Sequence, residues 1–288
     1  MTNSPVEVAV IPVAGRGTRW LPITRTVAKE LLPVWRRTSA SYALEEAIKA
    51  GCKEIIFVIG PEKSDVFGHF LRFDSSDLSA EFQDHSYGKL HDEVKLMACV
   101  QDKPRGLGDA VLCAQALVGN RNFAVLLPDE VLMQNGTALL CKRVPSILLM
   151  EVDYEQRRQY GMVKAEPYSD AVLRLVDLVE KPEPSLAPSS LAVTGRYCLS
   201  PVIFDYLKTQ SPGKNDEIQL TDALRRFSAE HELYGIVYEG TRHDVGQPLG
   251  LLTASIEFAL RDPDSSQQVR RACEELLRRV EQKPNYEY

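Results

Sequence analysis

Arg19, Asp129, Lys181 and Asp244 each follow an apolar run by a few residues, where a strand would release the chain into a turn. Charged groups gathered at strand ends could handle a phosphorylated substrate. Lysine and arginine would face phosphate oxygens, and carboxylates would face a divalent cation. The fullest such stretch is Val8 to Val34. An apolar run from Val6 to Val13 ends in Ala14-Gly15-Arg16-Gly17-Thr18-Arg19, and a further cation, Lys29, follows. Glycines straight after a buried strand let backbone amides approach a ligand closely, because no Cβ intervenes. The stretch reads as a loop that wraps a nucleoside triphosphate. A tight strand-to-helix turn with solvated basic residues is the plainer reading, and a glycine pair alone does not separate the two.

Asp129 and Asp244 could jointly hold Mg²⁺, a hard ion that takes carboxylate oxygens together with phosphate and water. Asp129 would serve equally well as a turn residue. Glu180-Lys181-Pro182 closes a strand. There the lysine could hold a phosphate and the glutamate could accept from sugar hydroxyls, or the two could be a solvated ion pair. Gln101 has the donor and acceptor needed to read a pyrimidine edge, though surface glutamines are common. Gly106-Leu107-Gly108 either opens a helix whose first amides approach a base or phosphate, or is a plain loop. His243 and the other four histidines receive no role. Several standard sites are excluded. No GxxxxGK[ST] is present, and Trp20 stands where a dinucleotide fingerprint needs its third glycine. GxSxG and HExxH are also absent.

These residues need a scaffold that ends its strands side by side. Thr38-Ser39 can cap a helix running through Tyr42, Leu44 and Ile48 to Gly51. Apolar runs at 53–60, 94–100, 123–127 and 146–152 read as buried strands, with a helix over 107–119. Strand, helix and strand in succession predict a parallel sheet that binds ligands at its carboxyl ends. Beyond Tyr160, the stretches 161–163, 172–181 and 191–199 alternate like an antiparallel or mixed layer. Helices are expected at 201–208, 218–231 and 249–260, a strand at 233–239, a loop at 241–246 and a charged amphipathic helix at 264–283. Residues 74–92 read as a surface excursion. The expected fold class is α/β: a doubly wound, mostly parallel Rossmann-like sheet, a small mixed β subdomain and C-terminal helices.

Composition agrees with a globular protein. The 288 residues are 44% hydrophobic and 26% charged, with a net charge of −6 that offers no global field for nucleic acid. The six cysteines form no CxxC pair, so reduced thiols are expected. The N-terminus lacks the pattern of a signal peptide, and no apolar run reaches the roughly 18 residues of a membrane span. The expected location is cytoplasmic, without membrane or nucleic-acid partners.

The order of these blocks resembles the sugar-1-phosphate nucleotidylyltransferases. Ala14-Gly15-Arg16-Gly17-Thr18-Arg19, Pro22 and Lys29-Glu30-Leu31-Leu32-Pro33 match the family's GxGTRxxPxT and PKExLP signature. Supporting blocks are Gly106-Leu107-Gly108, Leu127-Pro128-Asp129, Val179-Glu180-Lys181-Pro182 and Gly195-Arg196-Tyr197. Asp216-Glu217-Ile218-Gln219-Leu220-Thr221-Asp222-Ala223 and His243-Asp244-Val245-Gly246 complete the set. Within the family the pattern is most similar to the uridylyl-transferring members, which implies UTP and glucose 1-phosphate as substrates and Mg²⁺ as cofactor.

The resemblance implies that Ala14, Gly15, Gly17 and Arg19 bind the triphosphate, with Gln101 and Gly106 on the uracil. It implies Lys29 near the transferred phosphate and Asp129 and Asp244 on Mg²⁺. Gly161, Glu180 and Gly195 would serve the glucose, and Lys181 its phosphate. Arg19, Lys29 and Lys181 would be the catalytic cations. Residues 1–263 would form the nucleotidylyltransferase domain, its nucleotide part about 1–153 and its sugar part about 154–263. A C-terminal helix and tail would fill 264–288, and the family implies a homo-oligomer, dimer or tetramer. A relative using dTTP or another hexose 1-phosphate, and a weakly active regulatory paralogue, stay open as alternatives. Two departures stand out: Ala28 replaces the usual proline before the lysine, and Trp35-Arg36-Arg37-Thr38 replaces Val-Asp-Lys-Pro.

Overall fold

Thirteen strands lie among the residues described by the computed structural model, which are 5–64, 67, 94–169, 171–213 and 216–282. The first seven are β1 (Val8–Pro12), β2 (Pro33–Val34), β3 (Arg37–Thr38), β4 (Glu54–Ile59), β5 (Lys95–Val100), β6 (Phe123–Leu126) and β7 (Glu130–Leu132). The rest are β8 (Ser146–Glu151), β9 (Gly161–Ser169), β10 (Val172–Glu180), β11 (Leu191–Leu199), β12 (Tyr234–Val237) and β13 (Arg242–Asp244). Between them run helices α1 (Ser39–Lys49), α2 (Leu107–Cys113), α3 (Gln115–Val118) and α4 (Gly136–Leu140). They are followed by α5 (Ile203–Lys208), α6 (Leu220–Glu230), α7 (Pro248–Arg261) and α8 (Ser266–Gln282). Thr38 caps α1 as its sequence predicts, accepting from the Ser41 amide at 3.2 Å. The helix expected over 107–119 is broken at Ala114 into α2 and α3. The excursion expected at 74–92 falls outside the described residues.

The protein is a mixed α/β fold, and its main sheet corrects the expectation of a mostly parallel one. Nine strands run in the order β5-β4-β1-β6-β11-β8-β12-β10-β9. The block β5, β4, β1, β6 is parallel throughout. β11 then enters antiparallel between β6 and β8, β12 is parallel to β8, and β10 and β9 are antiparallel again. The mixed strands therefore extend the same sheet and do not form a separate layer. A further pairing, Ala192 with Met162, brings the edge strand β9 back to β11, so this end of the sheet curls on itself.

Alternation on β1 builds the two faces. Val8 and Val10 pack into one apolar cluster with α2, α3, α5 and α6, while Ala9 and Ile11 pack into another with α1 and α4. Both faces of the central strands are dry, which is why they read as unbroken apolar runs. The segment 241–246, expected as a loop, contains β13, which pairs antiparallel with β7 in a ribbon of three residues a side. No helix among the described residues is long and apolar enough to cross a membrane.

Candidate active site

All the residues singled out by sequence line one cavity of about 1420 Å³ at the carboxyl ends of β1 and β6. Ala14, Gly15, Gly17, Arg19, Lys29, Gln101, Gly106, Asp129, Gly161, Glu180, Lys181, Gly195 and Asp244 are all in its lining.

The glycine loop leaves β1 at Pro12 and bends through Gly17, whose φ of 66° suits a residue without a Cβ. A Cβ at Gly17 would stand 2.9 Å from Thr24 Cγ2 and 3.3 Å from Lys29 Cβ, so the loop rests directly on the lysine stem. Beneath it lies a residue that sequence reasoning missed. Lys63, buried, donates from Nζ to the carbonyls of Val13 and Gly15, both at 2.6 Å, and to Glu30 Oε2 at 2.9 Å. An ammonium collecting two loop carbonyls fixes which way the intervening peptides face. In the sequence Lys63 looks like one more surface lysine after a strand.

The β7–β13 ribbon sets Asp244 opposite Glu130, so Asp129 and Asp244 lie at the same end of the ribbon. The Val245 amide donates to the Asp129 carbonyl at 2.8 Å. A Cβ placed on Gly246 would meet Arg19 Nη2 and Asp244 Oδ1 at 3.0 Å and Asp129 Oδ2 at 3.3 Å. Both carboxylates and the guanidinium thus border the one gap that this glycine leaves open. Lys29 Nζ bonds Asp129 Oδ2 at 2.6 Å. Burial alone would raise the Asp129 pKa, but the Lys29 ammonium prevails and holds it below its ordinary 3.8. Burial would likewise lower Lys29, yet Asp129 and Glu30 outweigh it and keep its pKa above 10.5.

Glu130 and Arg242, also unforeseen, brace this ribbon. Arg242 forms a two-pronged pair with the Glu130 carboxylate and donates from Nη2 to the Tyr160 hydroxyl at 3.1 Å. Burial pushes the Glu130 carboxyl up to about 7 against the pull of Arg242. Tyr160 leads into the far side of the cavity, where its carbonyl accepts from the Lys181 amide at 3.1 Å. There Glu180 pairs in register with Gly161. Its Oε2 accepts from the Thr221 hydroxyl at 2.6 Å, and its Oε1 lies 2.9 Å from Lys181 Nζ. Gly195 has φ 74° and would, with a Cβ, press 2.9 Å against Leu127 Cδ1. Its carbonyl accepts from the Leu127 amide at 3.0 Å, locking the turn that carries Asp129.

Across the cavity, Gln101 Nε2 donates to Asp109 Oδ2 at 2.8 Å and to the Gly106 carbonyl at 3.2 Å. This leaves its Oε1 as the acceptor for a ligand. Gly106 has φ 102°, and a Cβ there would lie 2.8 Å from the Ile218 carbonyl. No group of three or more His, Cys, Asp or Glu residues able to hold a metal occurs among the described residues. Two carboxylates facing a shared gap still suit a magnesium-like ion, which commonly takes one or two protein carboxylates and draws its other oxygens from substrate phosphates and water.

Residues 8–259 match the family described as nucleotidyl transferase. The chain is 35% identical over 287 residues to a UTP–glucose-1-phosphate uridylyltransferase of Staphylococcus epidermidis, covering 94% of this chain and 98% of that one. It is 38% identical over 285 residues to one of Streptococcus pyogenes, covering 92% of each. Among solved structures, a UDP-glucose pyrophosphorylase complexed with UDP-glucose superposes with a TM-score of 0.81 at 34% identity, covering 89% of this chain and 100% of that one. A UTP-bound enzyme of the same kind from Acinetobacter baumannii gives 0.81 at 29% identity, covering 94% and 99%.

Proposed function

The chain belongs to the nucleotidyl transferase family, and on that premise we propose that it makes UDP-glucose and pyrophosphate from UTP and glucose 1-phosphate. The observation that carries the reading is that two charged clusters line one cavity. Lys29 pairs with Asp129 and Arg19 with Asp244 in the first, and Lys181 pairs with Glu180 in the second. Two sets of cations and carboxylates in one cavity suit a triphosphate and a second phosphate bound together.

Gly15 and Gly17, with Ala14 before them, present backbone to the triphosphate, and Arg19 neutralises it. Gln101 Oε1 accepts the imide N3–H of uracil, with Gly106 leaving room for the base edge. Glu180 accepts from glucose hydroxyls beside Gly161 and Gly195, and Lys181 draws the sugar phosphate toward the α-phosphorus. A phosphate oxygen of glucose 1-phosphate attacks that phosphorus in line; the new P–O bond forms as the bond to the β-phosphate oxygen breaks, and pyrophosphate leaves. Asp129 and Asp244 would hold Mg²⁺, which supplies further neutralisation of the triphosphate. Lys29, in the lining of the same cavity, faces the phosphoryl group in transfer. Orientation and charge supply the catalysis, and no covalent protein intermediate is required.

Residues of about 1–153 serve the nucleotide and about 154–263 the sugar, within one domain of 1–263, which is followed by the helix α8 (Ser266–Gln282). Six free cysteines suit a reducing compartment, and we place the protein in the cytoplasm. Leu276, Leu277 and Val280 stand exposed on α8, and Leu249, Leu252 and Ile256 on α7. This apolar surface supports self-association into a dimer or tetramer. Sedimentation of the protein at working concentration reports the assembly directly.

The activity is tested with a matrix of nucleoside triphosphates against hexose 1-phosphates in Mg²⁺, reading pyrophosphate release. UTP with glucose 1-phosphate is expected to give the highest kcat/KM. A higher value for dTTP or another hexose would overturn the substrate assignment. Saturable UTP binding without any turnover would point to a regulatory paralogue.

A further inference from the structure

Glu30 lies beneath the glycine loop with only one carboxylate oxygen hydrogen-bonded. Lys63 holds Oε2 at 2.9 Å, while Oε1 is buried, makes no hydrogen bond and stands 3.9 Å from Lys29 Nζ. The residue is only 1% exposed, so water does not compensate that oxygen. Lys29 meanwhile occupies Asp129 Oδ2 at 2.6 Å. On the reading of Asp129 as a metal ligand, that contact poses a conflict. A dication on that carboxylate repels an ammonium held 2.6 Å from the same oxygen, so an arriving cation drives Lys29 toward another acceptor. The Lys29 stem cannot travel far, because its Cβ and Cδ lie against Gly17 and its Cε against Gly15. Only its end can swing, and Glu30 Oε1 is the nearby acceptor without a partner.

We propose that Glu30 is the second acceptor of Lys29: when a divalent cation takes Asp129, the ammonium passes from Asp129 Oδ2 to Glu30 Oε1. Glu30 is then a positioning residue that acts through Lys29. The ammonium stays under the glycine loop, beside the phosphate being transferred, and does not drift into solvent. Lys63 holds the glutamate in place so that the second station exists before the cation binds. Because Lys63 also offsets its charge, Glu30 pulls little on the cation directly. Its effect on metal binding should therefore depend on Lys29 being present.

The test is Mn²⁺ binding to the nucleotide-free protein, read from the loss of the free-ion electron paramagnetic resonance signal. Wild type, Glu30→Gln, Lys29→Met and the double variant are compared. Lys29→Met should tighten binding, because no ammonium competes for Asp129. Glu30→Gln should weaken it at least fivefold with Lys29 present and less than twofold without it. The same factor in both backgrounds overturns the proposal and leaves Glu30 as an anchor for Lys63 alone. Asp129→Asn separates the premise from the inference: Mn²⁺ binding that survives this change removes the metal assignment itself. Should Glu30→Gln fail to fold, the wild type still answers through the Nζ signal of ¹⁵N-lysine, assigned to Lys29 by its absence from Lys29→Met. On adding Mg²⁺ that signal should shift and stay protected from solvent exchange. Loss of protection overturns the proposal.

Discussion

Lys29 and Lys181 carry equal charge in unequal settings, and the difference separates what each substitution should cost. Lys29 is largely enclosed, with Asp129 and Glu30 on either side, and their attraction exceeds the penalty of burial. Lys181 is 43% exposed and leans on Glu180 at 2.9 Å, an ion pair that solvent screens heavily. Lys181→Ala should therefore change stability by less than about 1 kcal/mol. Turnover should fall about 100-fold or more if the ammonium orients the attacking phosphate. Asp129→Asn should lose turnover in the same way, because it removes the charge that a cation requires, but it should also cost stability, because the enclosed Lys29 ammonium keeps only Glu30 to offset its burial. Steady-state kcat and melting temperature, measured on the same preparations, check both. A loss of stability in Lys181→Ala that matches its loss of turnover would make that residue structural.

Among the elements, the central strands of the parallel half of the sheet are legible because they are dry on both faces and read as unbroken apolar runs. β1, β4 and β6 fall where those runs do, and the glycine loop and Asp129 follow from their ends. The stretch that becomes β11 alternates and so reads as an antiparallel or mixed layer, with Thr194 and Arg196 among its apolar residues. Both are fully buried, and Arg196 pairs with Glu46 on α1 at 2.9 Å, a partner 150 residues away that sequence spacing cannot reveal. The β7–β13 ribbon was missed because three residues a side carry no periodicity. Lys63, and its pairing with the Glu30 of the signature, are not legible for a related reason, since a buried ion pair looks like two solvated charges until the fold closes over it. Arg196 also donates to the carbonyls of Leu127 and Glu130, which flank Asp129, so the pair braces the site as well as the sheet. Arg196→Met should destabilise by about 3–5 kcal/mol, because it strands the Glu46 carboxylate. Urea unfolding measures this. Adding Glu46→Gln should recover part of the loss, since the amide oxygen can still accept from Thr137, which donates to Glu46 through its amide at 3.0 Å and its hydroxyl at 2.7 Å. A milder cost for the single change, or no recovery, would mean the pair is not the brace proposed.

For the whole molecule, burial of weak acids at widely separated places sets how it meets alkaline conditions. Burial pushes the Cys52 thiol, at the start of the turn into β4, from 9.0 up to about 12. Cys99 at the end of β5 is pushed to about 11, and the Tyr42 hydroxyl on α1 to about 12, in each case chiefly by burial. Each group keeps its proton longer in the folded chain than in the unfolded one. Their contribution is therefore intact below pH 9 and is lost as pH rises from about 9 for the thiols and about 10 for Tyr42 toward 11–12. For Cys52 alone, which is 2% exposed, the slope is about 1.4 kcal/mol per pH unit within that window. Lys29 follows the same direction at higher pH: with its pKa held above 10.5, its contribution is intact while the thiols begin to strain the fold and is lost only as pH rises past about 10.5. Urea midpoints measured in reductant should hardly change between pH 7 and 8.5 and should fall steadily from pH 9 to 10.5. Cys52→Ala should flatten the fall, and activity should disappear with the folded structure and not before it. A midpoint that stays level to pH 10.5 would mean that these acids ionise in place without cost. Activity lost well before the fold would shift the weakness to the charged cavity.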